Sequence, residues 1–459
     1  MKFNKTSQLQ RFQSCSTREP RSQGAFSSPV SPLTGLRSWG GSKYRLLRNQ
    51  KGRLNSGTAL VLAAAASLLA ASLLTACSTL TVDFVYVTSS TAAGVNNYGL
   101  IDVFEIDSMS GKMRQIPSSP FPSAGRLPVA EAVSSDNQDL FVVNEDDNNI
   151  VQFVIGSDGK LYPFNTVNTP GIFPMAVAAT KTNLFVVDTY QPLPLCSNAD
   201  PCSGSIAVYP INAASGSNPI TLGTPLTNNA VGAQYWPLTA PNGSDIIVPT
   251  TVNVVASGAY VFVTAYDSSV SPHVGYIYGF SVGSGGTLSA ISGSPFAAGG
   301  QPTGIASDSS STYLYVTDSA HNGVLAYTIG SSGALTTISG SPFATGNQPS
   351  AVVVDPVYPY VYVTNAIDAT VTAYSMSSGV LTSLGNYTVG TDPVAIGIDP
   401  STEHFLFTAN FLGNTVNGFE LSTTAGTLLD SQFSPYTAST NPTAVAAIPH
   451  KGGGAGITK

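Results

Sequence analysis

The chain of 459 residues is 42% hydrophobic and only 9% charged, with 44 glycines and 31 prolines. Low charge with many β-formers and turn residues argues for an all-β domain and against wholesale disorder. Eleven of the eighteen Lys and Arg fall in residues 1–56, so the chain beyond residue 76 keeps seven cations against 24 carboxylates. A net charge of −17 there makes nucleic acid and anionic membrane surfaces poor partners for the domain.

Residues 1–56 contain one acid, Glu19, and no apolar periodicity. They read as a disordered basic extension or the product of an upstream start site. Ala59 to Ala76 is an apolar run of 18 residues preceded by Arg48, Lys51 and Arg53, and it ends in Leu74-Thr75-Ala76-Cys77. A positive region, an apolar stretch and small residues before a cut site make residues 57–77 an export signal. The last four residues resemble the bacterial lipobox, in which the cysteine is lipidated and becomes the new N-terminus. Cys77 is then the lipid anchor, and Ser78 after it resembles the outer-membrane sorting pattern. An uncleaved anchor is the alternative, since 18 apolar residues just span a bilayer. Either way the domain that follows lies outside the cytoplasm, in the cell envelope.

From residue 84 onward one phrase recurs, clearest in Pro349–Met376. A proline opens a short apolar run, an Asp-Pro turn follows, and Tyr360–Thr364 is a β-branched and aromatic run. Asn365–Asp368 turns again, Thr370–Tyr374 alternates, and Val380–Leu384 makes a fourth run after Ser-Ser-Gly. Proline-led first strands begin at 128, 174, 249, 302, 349, 393 and 442. Second-strand cores are 85–87, 141–143, 185–187, 261–263, 314–316, 361–363 and 406–408. The first copy lacks a first strand and the last segment lacks a second, so the C-terminal strand is expected to complete the N-terminal blade and close a ring. The expectation is an all-β, seven-bladed β-propeller of four-stranded blades over residues 78–449, with a flexible tail at 450–459.

Between the second and third strands of the third blade stand Cys196 and Cys202, six apart across a turn. In an oxidising compartment they are read as a disulfide, with a metal pair as the other option. Gly283–Gly286 and Ser331–Gly333 read as hairpin turns before fourth strands. Ser-Pro-Phe at 119–121, 294–296 and 341–343 places a phenylalanine between blades. The long segment Tyr209–Ile247, with Tyr235-Trp236, is either a flap or packing over blades three and four.

Val361-Tyr-Val-Thr-Asn365, Leu314-Tyr-Val-Thr-Asp318 and Val85-Tyr-Val-Thr-Ser89, each with its proline-led strand, resemble the YVTN β-propeller repeat. Closely similar repeats build bacterial lactonase-type, 6-phosphogluconolactonase-like propellers. The resemblance covers residues 84–449 and implies the fold; the repeat residues are structural, and fold alone does not decide function.

A site is therefore sought where the repeat breaks, on the axial face carrying the fourth-to-first and second-to-third strand loops. Glu131 stands where Val177, Ile305, Val352, Ile396 and Val445 stand in other copies, and an unpaired buried charge is costly. Arg126, nearby in sequence, is its expected partner. One reading makes Glu131 and His321 general bases, with Arg126 steadying the oxyanion during lactone hydrolysis. Another makes Glu145, Asp188, Asp267, Asp318 and Asp368 ligands on the axis, with calcium as the hard cation; no cofactor is required. A third treats Glu131–Arg126 as a structural pair and the Asp and Asn residues as turn formers. His273, His404 and His450 show no metal-ligand spacing. The sequence alone favours a monomeric envelope lipoprotein that binds another envelope protein or a carbohydrate, with a lactone hydrolase as the alternative.

Overall fold

The computed structural model describes residues 81–449, apart from 92–94, 108–109, 195, 197–201, 215–218, 244 and 400–404. The expectations for residues 1–56, for the segment 57–77 with Cys77, for His404 and His450 and for the tail 450–459 lie outside these residues. Seven antiparallel sheets are present, six of them ordered from first to fourth strand in sequence order and the seventh taking its inner strand from the C-terminal end. The inner strands are Pro442–Pro449, Pro128–Val133, Ile172–Ala179, Ile247–Val254, Pro302–Ser307, Pro349–Val354 and Pro393–Ile398. Each packs against the next around the axis, and the ring is closed. The protein is a seven-bladed β-propeller.

The closure is a strand pairing. Thr81–Ser89 pairs on one side with Leu100–Asp107 and on the other with Pro442–Pro449, so blade 1 is built from both ends of the domain. This leaves no inner strand unpaired, which removes an edge that would otherwise template aggregation.

Alternation along the strands explains how the blades stack. In blade 1, Phe84 and Tyr86 face the core shared with Leu140, Val142 and Phe153 of blade 2. Val85 and Val87 face the opposite way, into the core shared with Phe405 and Phe407 of blade 7. The same division gives seven apolar clusters, one in each gap between blades. A sheet buried on both faces needs a continuous apolar second strand, and Leu140–Val143, Leu184–Val187 and Val361–Val363 supply it. The register shows that two second-strand cores begin one residue earlier than the sequence suggests, at Leu140 and Leu184, because Asn144 and Asp188 pair with the opening prolines as Asn365 does.

Proline opens or enters each inner strand, where a missing N–H is tolerated, and one residue bulges out beside it in every blade. The bulged residue can tie neighbouring blades: Thr303, Ser350 and Thr443 donate to the carbonyls of Pro349, Pro393 and Pro128 in the following blade. The Ser-Pro-Phe segments break the fourth strand in two. Each serine hydroxyl accepts an N–H of the third strand (Val103, Gly279, Ala326), and Phe121, Phe296 and Phe343 pack against the inter-blade cores. A fourth copy, Ser434-Pro435-Tyr436, behaves likewise with tyrosine in place of phenylalanine.

In blade 3, Cys196 and Cys202 are joined as a disulfide with Cα atoms 5.3 Å apart. Trp236 is buried in the core between blades 3 and 4, so that part of the long insertion is packing and not a flap.

A second inter-blade tie runs from second-strand tyrosines. Tyr86, Tyr315 and Tyr362 donate to the carbonyls of Gly159, Gly379 and Gly426 in the next blade. These glycines turn with positive φ, and a Cβ on Gly426 (φ +66) would run into the Tyr360 ring. Gly426→Ala is expected to cost about 2 kcal/mol or more, from left-handed backbone strain plus displaced packing. Urea unfolding beside the wild type measures it.

Candidate functional site

Glu131 lies midway along the inner strand of blade 2, opposite Val142. The register places Val445, Val177, Val252, Ile305, Val352 and Ile396 at the same level of the other six blades. One carboxyl group thus stands in a ring of aliphatic side chains. Its Oε2 accepts a 2.5 Å hydrogen bond from the Thr88 hydroxyl of blade 1, and it also meets the Ala446 backbone. Its Oε1 is sealed from solvent with no partner. Burial removes the carboxylate's hydration and outweighs these bonds, so its pKa is pushed up to about 8. At neutral pH the group is mainly a neutral acid.

Arg126 is not its partner. The guanidinium forms an ion pair with Asp147 at 2.5 Å, and its Nη2 also reaches the carbonyl of Asp146. Its backbone N–H donates to the same Asp147 carboxylate. Asn347 makes the corresponding bonds to Asp368 in blade 6, through backbone N–H and side-chain amide. The Arg126–Asp147 pair therefore occupies a repeat position that ties the incoming loop to the second-to-third strand turn. Arg126 sits in the loop ahead of the strand, which begins only at Pro128 after a left-handed Leu127 (φ 51), whereas Glu131 lies inside the strand.

His321 is likewise engaged within its own blade. Its Nδ1 is 2.6 Å from Asp318 Oδ2; a carboxylate only accepts, so Nδ1 carries the hydrogen. Asp318 also accepts the N–H groups of Gly300, Gln301 and Ala320. Its burial alone would raise the pKa, but these bonds and His321 hold it below the usual range. The structure does not bring Glu131, Arg126 and His321 together through any contact.

The remaining acids are spread around the rim. Asp188 is buried, accepts the Gly171 N–H through Oδ2, and keeps Oδ1 without a partner; burial lifts its pKa to about 7. It shares its repeat position with Asn144, Asp318, Asn365 and Asn410, which also bind loop or turn groups. Asp267 lies two residues past that position, which Ala265 fills in blade 4, and caps Ser269 N–H. Glu145 follows Asn144, with its backbone N–H on Leu127. Asp368 is held below the usual range by Asn347. Among the described residues no group of three or more His, Cys, Asp or Glu is placed to hold a metal ion. The residue that sequence reasoning missed is Thr88. In blades 4 to 6 the equivalent threonines (Thr264, Thr317, Thr364) bond the bulged hydroxyl of their own inner strand, whereas Thr88 turns its hydroxyl to the next blade.

Residues 337–450 match the family described as Lactonase, 7-bladed beta-propeller. No curated protein matches the chain. Among solved structures it is similar to a Bacteroides fragilis protein assigned as a 6-phosphogluconolactonase, with 19% identity over 81% of this chain and 99% of that one, TM-score 0.62. The Pseudomonas aeruginosa periplasmic gluconolactonase PpgL aligns with 17% identity over 80% and 99%, TM-score 0.61. A Lactobacillus plantarum protein aligns with 17% identity over 80% and 99%, TM-score 0.59. At these identities the likeness is one of fold.

The raised pKa of Glu131 carries a stability consequence. Below the unfolded value of 4.5 both states are protonated; as pH rises toward about 8 the unfolded state ionises and the folded state resists. Folding stability should therefore fall across that window by several kcal/mol, at about 1.4 kcal/mol per unit of pKa. Glu131→Gln should remove this component, so its advantage over the wild type grows from pH 5 to pH 9 in urea unfolding. Parallel pH profiles would contradict a buried neutral acid.

Proposed function

We propose that this propeller hydrolyses lactones, with Glu131 as the acid–base group, in a protein held in the cell envelope by a lipid on Cys77. The observation that carries the reading is Glu131: a carboxyl group on an inner strand, against Thr88 of blade 1, where the other six blades carry an aliphatic residue, with a pKa moved up to about 8. Perturbation by burial inside a ring-shaped fold is what acid–base catalysis near neutral pH requires. The lactonase family match and the lactonase names of similar folds support the chemistry more than the binding-scaffold expectation, which rests on fold alone.

In the reaction, water attacks the lactone carbonyl carbon, the new C–O bond forms, and the ring C–O bond breaks. The attacking water loses a proton and the departing ring oxygen gains one. Ionised Glu131, turned off Thr88 toward the axis, accepts the first proton and returns it to the alkoxide. A pKa near 8 keeps the protonated form a competent donor in the second step. Arg126 and His321 have no role here, because their bonds to Asp147 and Asp318 are already made.

Full-length protein incubated with glucono-δ-lactone should open the ring, with kcat/KM rising through about pH 8. Glu131→Gln should lower kcat/KM by about 100-fold and flatten that rise. Equal activity in the variant would leave Glu131 a structural residue. Cells fed labelled palmitate should label the wild-type chain, and Cys77→Ala should abolish the label.

A further inference from the structure

We infer that the lactone taken by this site is uncharged, and that a phosphorylated one is rejected by the axial face itself. The inference rests on the hydrolytic reading above and adds the substrate class. A bound phosphate is recognised by free cations, usually Arg or Lys, or by unoccupied backbone N–H groups gathered in a loop. Among the described residues the axial face offers one cation, Arg126, already paired with Asp147, and loop amides that are bonded to the chain's own side chains.

The cations can be followed one by one. The described residues include five Lys and Arg. Lys112 lies 5.0 Å from the Phe433 ring centroid, Arg114 pairs with Glu105, and Lys160 pairs with Asp158. Lys112 and Lys160 sit at third-to-fourth strand turns and Arg114 on an outer strand, away from the axial loops. Lys181 borders a groove of about 600 Å³ between blades 3 and 4, on the turns of the opposite face. Only Arg126 stands on the axial face, and its Nε and Nη2 are held by Asp147 and the Asp146 carbonyl, which offsets its charge. Of the two histidines there, His321 is bonded to Asp318 and His273 to the carbonyls of Asp267 and Val270.

The loop amides are filled as well, in part by the chain's own anions. Gly171 N–H donates to Asp188, Gly300 and Gln301 to Asp318, Arg126 to Asp147 and Asn347 to Asp368. Elsewhere around the ring the acceptor is an amide oxygen: the Phe173, Gln348 and Asn441 N–H groups donate to Asn148, Asn322 and Asn414. An incoming phosphate would have to displace one of these while facing the rest of an acidic rim that includes Glu145 and Asp146. A neutral polyhydroxy lactone meets no such repulsion and can hydrogen-bond to the same carboxylates.

The test sets glucono-δ-lactone against its 6-phosphate with the full chain at low and high salt. The expected result is kcat/KM at least tenfold lower for the phosphorylated substrate at low salt, with the gap narrowing as salt screens the rim. Asp147→Asn, which releases Arg126, should narrow the gap further. Asp368→Asn, which removes one rim charge without touching an arginine, should narrow it less than Asp147→Asn does. Equal or faster opening of the phosphorylated lactone overturns the inference while leaving the hydrolase intact. A gap indifferent to salt and to Asp147→Asn also overturns it, since charge would not be its cause. If neither lactone opens, the hydrolytic reading falls and takes the inference with it.

Discussion

Everything in this molecule depends on the pairing of Pro442–Pro449 with Thr81–Ser89. A propeller has no central core; its apolar surface is divided among the gaps between blades, and every gap requires two walls. Without the closing strand, blade 1 would lack its inner strand and the gaps on either side would lose Ile448 and Val445 from their packing. Closure makes the seven gaps equivalent, so one repeated pattern of Val, Tyr and Phe can serve all of them.

Glu131 has to be understood against that closure. Its carboxyl group touches Thr88 from the N-terminal part of blade 1 and the Ala446 backbone from the C-terminal strand. It therefore sits on the seam where the two ends of the domain meet. The neighbouring tie, Thr443 donating to both Thr88 and Pro128 carbonyls, crosses the same seam with ordinary hydroxyl chemistry. The ring thus has an adequate neutral fastening at this point already, and the acid is an addition to it.

The repeat, the number of blades and the mode of closure were legible in the sequence because they are set by local rules. Proline at strand starts, alternation along strands and Asn, Asp or Gly at turns act over a few residues. Glu131 was legible for the same reason, as a charge where the pattern calls for an aliphatic residue. Its partner was not. Thr88 is 43 residues away in the preceding copy, and its threonine looks like any other in the Tyr-Val-Thr phrase. Arg126 attracted the assignment by proximity in sequence, yet it lies in the loop before the strand and its bonds run to the second-to-third strand turn. Once the loop positions are aligned, Arg126 and Asp147 fall on Asn347 and Asp368 and show themselves to be part of the repeat.

That contrast separates two kinds of polar residue in a repeat protein. Asp318, Asp147 and Asp368 satisfy backbone N–H groups that would otherwise be unpaired, and the donated bonds hold Asp318 and Asp368 below the usual carboxylate range. Such residues explain themselves by what they bind. Glu131 does not: one oxygen is left unpaired, burial disfavours its charge, and valine or isoleucine serves at the same level in six other blades. A side chain that weakens the fold above its unfolded pKa and leaves one oxygen unpaired is retained at a cost in stability. The acidic rim has the complementary effect, since the bonds that steady these loops place carboxylates on backbone N–H groups that an anion would otherwise use. The same hydrogen bonds that hold the axial loops therefore set which ligands can approach the one unsatisfied acid among the inner strands.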